Sequence, residues 1–110
     1  MTGQREAAAR PDTEEFVLTL FVSGASDLSA RAIDSVSRLC ERHLSDGWRL
    51  TVIDIHDDPE SALANRIHAV PTLVRSRPLP VRRLVGDLSQ ADRVLAVLLA
   101  GSDGAVETRA

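Results

Sequence analysis

The sequence predicts a single α/β domain whose elements follow the order strand, helix, strand, helix, strand, strand, helix. The chain has 110 residues, which is enough for one hydrophobic core and too few for two. Its 44% hydrophobic and 26% charged residues are typical of a globular domain. Apolar runs of strand length alternate with segments in which apolar residues recur at helical spacing, and this alternation defines the fold class.

The first half of the predicted domain is a strand, a helix and a second strand. The run FVLTLFVS at Phe16–Ser23 is apolar on both faces, as expected for a central strand. Ser26 and Asp27 can cap a helix over 28–44. The apolar face of that helix carries Ile33, Val36, Leu39, Cys40 and Leu44. The run WRLTVIDI at Trp48–Ile55 is the next strand, and this order implies a right-handed parallel unit.

The second half is predicted to hold a short helix, a strand hairpin and a last helix. The sequence DDPE marks the start of a helix over 59–67, with proline in its first turn. Val70–Val74 and Val81–Val85 are predicted as antiparallel strands joined by the proline-bearing turn Arg75–Pro80. A helix over 88–100 directs its apolar residues to the core: Leu88, Val94, Leu95, Leu98 and Leu99. The order βαβαββα is that of a thioredoxin-like domain.

The two ends of the chain and its overall charge exclude several classes of protein. We expect a disordered lead over 1–14, the folded domain over 15–100 and a disordered tail over 101–110. The net charge of -3 argues against nucleic-acid binding, and no apolar run has the length of a membrane span. A single cysteine cannot form an internal disulfide, and the polar beginning of the chain is unlike a secretory signal, so we predict a cytoplasmic protein.

The sequence lacks the residue patterns of a redox, hydrolytic or metal centre. A thioredoxin-like redox enzyme needs a thiolate at the start of its first helix, and Gly24–Asp27 contains no cysteine. Cys40 falls on the apolar helix face and is interpreted as a core residue. His56 lies close in sequence to three carboxylates that could ligate a metal ion: Asp54, Asp57 and Asp58. Helix capping and solvation explain these residues better, so we predict no catalytic residue, no cofactor and no metal.

Two features point to protein binding. Pro71 stands directly before an antiparallel strand, where thioredoxin folds place a cis-proline beside the first helix, although it could simply set the entry of the strand. A stretch of nine residues without an acid contains Arg75, Arg77, Arg82 and Arg83. This hairpin is either a positive patch for an acidic protein surface or a solvated edge that blocks strand aggregation, and the sequence leaves both alternatives open.

Several stretches of the folded segment carry a more specific pattern: FVLTLFVSG, Ser29–Ala32, Leu50–Asp54, Ala69–Leu73 and Pro80–Ser89. The last of them is close to the sequence PPVRRIIGDLS. Together, over about 15–96, they resemble the KaiB family of circadian clock proteins. The resemblance implies a non-enzymatic adaptor that binds the ring of a KaiC-type ATPase and regulates a circadian, timing or stress signalling system.

The resemblance also implies partners, site residues and a second packing of the chain. KaiA or a KaiB-like sensor kinase would be further partners, and a ground state with a rearranged C-terminal half would assemble into tetramers. The partner-binding residues would be Arg31, Arg66, Arg75, Arg82 and Arg83. Backbone geometry and fold switching would depend on Pro71, Gly86 and Asp87. The alternative function is a stand-alone thioredoxin-like interaction domain without a clock role. Pairing of edge strands could also give a homodimer.

Overall fold

The computed structural model describes residues 3–7, 15–44, 47–86, 88–99 and 107–109. Its elements in chain order are β1 (Gly3–Ala7), β2 (Phe16–Val22), α1 (Asp27–His43), β3 (Trp48–Asp54), α2 (Pro59–Ala64), β4 (Thr72–Arg77), β5 (Arg82–Val85), α3 (Ala91–Leu98) and β6 (Glu107–Arg109). Every element predicted for the folded domain is present, and two short strands are added at its ends.

The sheet has the strand order β1-β3-β2-β4-β5-β6. At its centre β2 runs parallel to β3, as the strand-helix-strand order predicts. β4 is antiparallel to β2, and β5 is antiparallel to β4. These four central strands with α1, α2 and α3 confirm the predicted thioredoxin-like α/β fold.

The terminal strands β1 and β6 differ from the disorder that we predict for the ends of the chain. β1 pairs antiparallel with β3, and β6 pairs parallel with β5. Without them β3 and β5 would be the edges of the sheet, with a row of unpaired backbone groups on each. Backbone pairing therefore orders short segments that carry no apolar pattern. The remaining residues of 1–14 and 101–110 lie outside the described part of the chain.

One face of the sheet forms the core with α1 and α3. The helix α1 begins directly after Ser26, the predicted cap, because the Ser26 hydroxyl accepts a hydrogen bond from the Ser29 backbone N–H at 3.1 Å. The predicted apolar face of α1 is buried, apart from Ile33, which is only partly buried. The residues that pack this face include Leu18, Leu20, Val36, Leu39, Cys40, Leu50, Leu73, Leu84, Leu88, Val94 and Leu98.

The helix α2 is shorter than predicted and contributes little to the core. Asp58 caps its beginning by accepting from the Ser61 backbone N–H at 3.2 Å. The helix ends at Ala64 because Arg66 has a φ of 54°, in the left-handed region, which no continuing helix allows. All six residues of α2 are described, and none is buried.

The strand β4 and the helix α3 also differ from the prediction at their ends. β4 continues to Arg77, beyond the predicted end at Val74, because Arg75 pairs with both β2 and β5 and Arg77 pairs with β2. α3 begins at Ala91 although Leu88 is buried ahead of it. Leu99 is exposed, so its prediction as a core residue is wrong.

Candidate functional site

The five arginines predicted to bind a partner do not share one surface. Arg31 and Arg66 are exposed and Arg83 is partly exposed, whereas Arg75 and Arg82 are buried. This separation follows from strand geometry, because neighbouring residues of a strand point to opposite faces of the sheet. On β5, Arg82 faces the core formed with α1 and α3, and Arg83 faces the other side.

Arg75 is part of the core, with 1% of its surface exposed. Its Nη1 donates a hydrogen bond to the Leu98 carbonyl at the end of α3, and its Nη2 donates one to the Pro80 carbonyl between β4 and β5, both at 2.6 Å. A buried guanidinium is tolerated where carbonyl oxygens accept its N–H groups. This position differs from the exposed one expected of a partner-binding residue, and Arg75 instead joins the hairpin to α3.

Arg82 is likewise inside the fold, with 4% of its surface exposed. It lies directly opposite Arg75 in the antiparallel pair of β4 and β5, so both side chains share one face of the sheet. Leu73 and Leu84 form the neighbouring pair on that face and belong to the core. The positive patch predicted for this hairpin is therefore divided between the interior and the surface.

Arg83 and Arg66 meet on the opposite face of the sheet. The Arg83 side chain donates hydrogen bonds to the carbonyls of Asn65 and Arg66, the second at 3.3 Å from Nη1. These carbonyls follow the end of α2, where helical acceptors lose their backbone partners. The guanidinium thus caps α2 from β5 and brings two of the predicted arginines together.

Arg31 lies at a cleft beside the first turn of α1, which we call the α1 cleft. Its volume is about 130 Å³. Its lining residues are Leu28, Arg31, Ala32, Pro71, Leu88 and Ser89. The structure therefore places Arg31 and Pro71, two residues predicted from distant parts of the sequence, at one site. Arg66 and Arg83 do not line this cleft.

Pro71 and Gly86 define the backbone next to the α1 cleft. The Val70–Pro71 peptide bond is cis, in agreement with the position of Pro71 before an antiparallel strand. The Pro71 carbonyl accepts a hydrogen bond from the Gly86 N–H at 3.1 Å. Gly86 has a φ of 111°, a conformation that glycine adopts readily and other residues rarely do. Asp87, the third residue predicted to set this geometry, lies outside the described residues.

The other side chains that could take part in catalysis or metal binding are buried or held by local hydrogen bonds. Burial, together with the negative charge of Glu41, raises the pKa of Cys40 to about 12, so its thiol stays protonated at neutral pH. The Asp54 carboxylate accepts from the His56 backbone N–H at 2.9 Å, and this bond lowers the Asp54 pKa. The His56 Nε2 lies 3.0 Å from the Ser23 hydroxyl oxygen. The contact between Ser23 and His56 links the ends of β2 and β3.

Asp58, considered above as a metal ligand, is engaged in capping α2. It accepts from the Ser61 hydroxyl at 2.7 Å and from the Ser61 backbone N–H, and these bonds lower its pKa. Within the described ranges no group of three or more histidine, cysteine, aspartate or glutamate side chains is arranged to hold a metal ion. No helix in the part of the chain that the structure describes has the length and apolarity needed to cross a membrane.

Comparison with known families agrees with this arrangement. Residues 19–99 match the family model described as the KaiB domain. The chain belongs to the KaiB family. The matched segment begins within β2 and ends directly after α3, so it contains the α1 cleft and all five predicted arginines.

Two members of the KaiB family illustrate the degree of similarity. The circadian clock protein KaiB3 of Synechocystis sp. is 34% identical over 84 residues, which cover 76% of this chain and 82% of that protein. The circadian clock oscillator protein KaiB of Thermostichus vulcanus is 38% identical over 85 residues, which cover 77% of this chain and 79% of that protein. The chain is therefore a KaiB-family circadian clock protein.

A solved structure supports the fold independently of the family model. The solution structure of the N-terminal domain of SasA from Synechococcus elongatus has a TM-score of 0.67 to this chain, at 20% identity. The similarity covers 89% of this KaiB-family chain and 95% of the SasA domain. At that identity it concerns the fold alone, and it agrees with the thioredoxin-like architecture.

Sequence reasoning missed two aspects of the site. The spacing of Leu73 and Arg75 on one strand already places both on the same face, which is a signal that Arg75 points inward. Its carbonyl partners come from a turn and from the end of α3, and no local pattern reveals them. The apolar walls that Leu28 and Leu88 give to the α1 cleft likewise depend on how distant segments pack.

Proposed function

We propose that this chain is a non-enzymatic adaptor that docks on the ring of a KaiC-type ATPase in the cytoplasm and regulates a circadian or other timing system. The observation that carries this proposal is the match of residues 19–99 to the KaiB domain. The circadian clock names of the relatives support the timing role. The ATPase is the partner that the resemblance of the sequence to this family implies.

Three arginines are proposed to contact the ATPase: Arg31, Arg66 and Arg83. Their exposure supports this assignment, since a surface cation can attract an acidic partner and speed its association. The side chains of Arg31 and Arg66 have no hydrogen-bond or ion-pair partner within the described residues, so their charges are available for binding. Arg75 and Arg82 are proposed to act indirectly, by holding the strands that present Arg83.

Further assemblies belong to the same proposal. Once docked, the chain would capture KaiA or compete with a KaiB-like sensor kinase for the same ring. A dimer or tetramer of this chain, and the second packing of its C-terminal half, stay predictions that the family resemblance implies. The alternative of a stand-alone interaction domain without a clock role makes the opposite prediction for ring binding.

The first experiment is size-exclusion chromatography with light scattering on this protein and the KaiC-type ATPase of its own organism. The mixture is run with ATP and then with ADP, because the nucleotide sets the state of an ATPase ring. We expect a stoichiometric complex with at least one nucleotide. Absence of a complex with either nucleotide would contradict the proposal and favour the stand-alone interaction domain.

Charge reversal then tests the assigned arginines. The double variant Arg31→Glu with Arg66→Glu should bind the ring at least tenfold more weakly, a loss of about 1.4 kcal/mol in binding free energy. The matched control is Arg42→Glu with Arg77→Glu, which changes net charge equally at exposed positions that do not line the α1 cleft. Calorimetric titration should give control affinities within twofold of the parent protein. Equal losses in both variants would indicate a general charge effect and contradict the assignment of Arg31 and Arg66.

A further inference from the structure

The α1 cleft has the size and lining of a site for one aliphatic side chain. Its volume of about 130 Å³ is close to that of a cavity that accepts a benzene molecule. Leu28, Ala32, Pro71 and Leu88 supply apolar walls, and Arg31 and Ser89 supply polar groups at the same opening. Concave sites with apolar walls and few polar groups are the usual form of a specific binding pocket.

The walls of the α1 cleft are already fixed in the free protein. Ala32 and Leu88 are buried in the core cluster, and the Pro71 carbonyl is held by the Gly86 N–H at 3.1 Å. The first turn of α1 is held by Ser29, whose hydroxyl donates to the Ser23 carbonyl at 3.2 Å. A preformed pocket loses little conformational entropy on binding, which favours a short partner segment as its occupant.

Arg31 is the one charged residue among the six that line the α1 cleft, and its acidic neighbours on α1 are Asp27 and Asp34. Within the described residues Arg31 forms no ion pair, and Asp34, one turn further along α1, pairs with Arg38 at 3.2 Å. A guanidinium offers two parallel N–H groups to a carboxylate, and such charge-assisted hydrogen bonds are among the stronger polar contacts. Charge complementarity therefore selects an acidic partner segment.

One wall of the α1 cleft is itself exposed apolar surface. Leu28 is 52% exposed, which leaves half of a leucine side chain in water beside the opening. A partner segment that covered Leu28 would remove this apolar surface from water and gain binding energy in proportion to the area buried.

We propose that the α1 cleft binds an acidic segment of a protein partner, with one aliphatic side chain inserted between Pro71 and Leu88 and a carboxylate on Arg31. This inference rests on the proposed function for the identity of the partner, since the segment would belong to the ATPase ring. It adds the chemistry of the contact: an aliphatic residue flanked by a glutamate or aspartate.

The test uses the full chain labelled with ¹⁵N and a short peptide as the probe, acetyl-Ser-Leu-Glu-Ser-amide. Amide signals of Leu28, Ala32, Leu88 and Ser89 should shift in a saturable manner. Peptides in which leucine is replaced by alanine, or glutamate by glutamine, should bind at least threefold more weakly. Absence of saturable shifts, shifts elsewhere, or equal affinity of the three peptides would each overturn the proposal.

Variants of the chain separate this inference from the proposed function. Leu28→Glu places a negative charge at the α1 cleft and should abolish peptide binding. Its matched control, Leu63→Glu, changes a leucine on α2 that is 80% exposed, and should bind the peptide as the parent protein does. If the peptide binds but no ring complex forms, the proposed function alone fails. If the ring binds the parent protein and Leu28→Glu equally well, the cleft inference fails.

Discussion

The helices α1 and α2, one in each half of the domain, are attached to the rest of the fold by different kinds of interaction. In the first half, α1 buries six of its residues, whereas α2 in the second half buries none. The hairpin of β4 and β5 shares the apolar core with α3, and Arg75 adds a hydrogen bond to the carbonyl at the end of α3. Towards α2 the hairpin donates hydrogen bonds from Arg83 to the carbonyls that follow the helix. Apolar burial is spread over many contacts, while a few directional bonds can be broken singly. Within the described residues, α2 is therefore the helix that depends most on single hydrogen bonds.

The largest expected effect comes from removing the buried guanidinium. Arg75→Ala should lower the free energy of unfolding by about 4 kcal/mol, because it deletes hydrogen bonds from a charged donor and leaves an unfilled space in the core. The measurement is urea denaturation followed by Trp48 fluorescence. The matched control Arg77→Ala changes an exposed arginine of the same strand and should stay within about 0.5 kcal/mol of the parent. A loss below about 1 kcal/mol for Arg75→Ala would contradict the role assigned to it.

Leucine-to-alanine substitutions on the two helices compare the halves directly. Leu39→Ala on α1 should cost about 3 kcal/mol of unfolding free energy, because it opens a cavity in the core. Leu63→Ala on α2 should cost less than about 0.5 kcal/mol, since that side chain is largely in water. The same urea titration measures both. Similar losses at the two positions would show that α2 is packed as firmly as α1.

A smaller effect is expected at the start of α1. Ser26→Ala removes the hydroxyl that caps the Ser29 N–H and should lower the unfolding free energy by about 1 kcal/mol. Ser26→Asp keeps a capping oxygen and adds a negative charge at the positive end of the helix, so its stability should equal or exceed that of the parent. Thermal unfolding followed by circular dichroism distinguishes the two variants. Equal losses for both would mean that the cap is not the stabilising contact.

The smallest effect is local to α2 and depends on pH. Hydrogen bonds from Ser61 lower the pKa of Asp58 below its ordinary value, so the ionised carboxylate stabilises the capped helix. The folded pKa lies below the unfolded one. The stabilisation is thus complete above the ordinary aspartate pKa of about 4 and is lost as pH falls through the folded pKa. Measured by hydrogen exchange between pH 3 and 6, the α2 amides should be less protected at the lowest pH values.

The variant Asp58→Asn is the control for that pH dependence. Asparagine can still accept the cap hydrogen bond but does not titrate in this range. After correction for the intrinsic exchange rate, its α2 protection should be independent of pH. A pH dependence equal to that of the parent protein would assign the effect to another group.

Local patterns predicted the fold better than they predicted the site. The alternation of apolar with polar residues and the capping of a helix are properties of residues that are neighbours in sequence. The strand at Trp48 and the helix start at Ser26 could therefore be located from the sequence. The end of α2 was harder to predict from the sequence. The left-handed backbone conformation there is adopted by Arg66 and not by a glycine, which is the residue that usually marks such a position. The terminal strands depend on the exposed edges of the sheet, which only the assembled fold creates.

The site was only partly predictable for the same reason. Proximity in sequence grouped Arg82 with Arg83, whereas the pleat of a strand sends them to opposite faces. Arg31 and Pro71 were predicted separately, and the α1 cleft between them arises from packing of the helix against the proline loop. Residue type therefore indicated which side chains to consider, and three-dimensional contacts decided which of them a partner can reach.

Strand β5 has a further property that follows from its four residues. Each of its faces presents an arginine followed by an aliphatic residue: Arg82 and Leu84 on one, Arg83 and Val85 on the other. A one-residue change of register exchanges the faces of a strand, and here both arrangements offer the same pattern of side chains to the core. The strand itself does not encode which arginine is buried. Two hydrogen bonds lie beyond its ends: the Pro80 carbonyl accepts one from Arg75, and the Gly86 N–H donates one to the Pro71 carbonyl. We expect these two bonds to fix the register of β5.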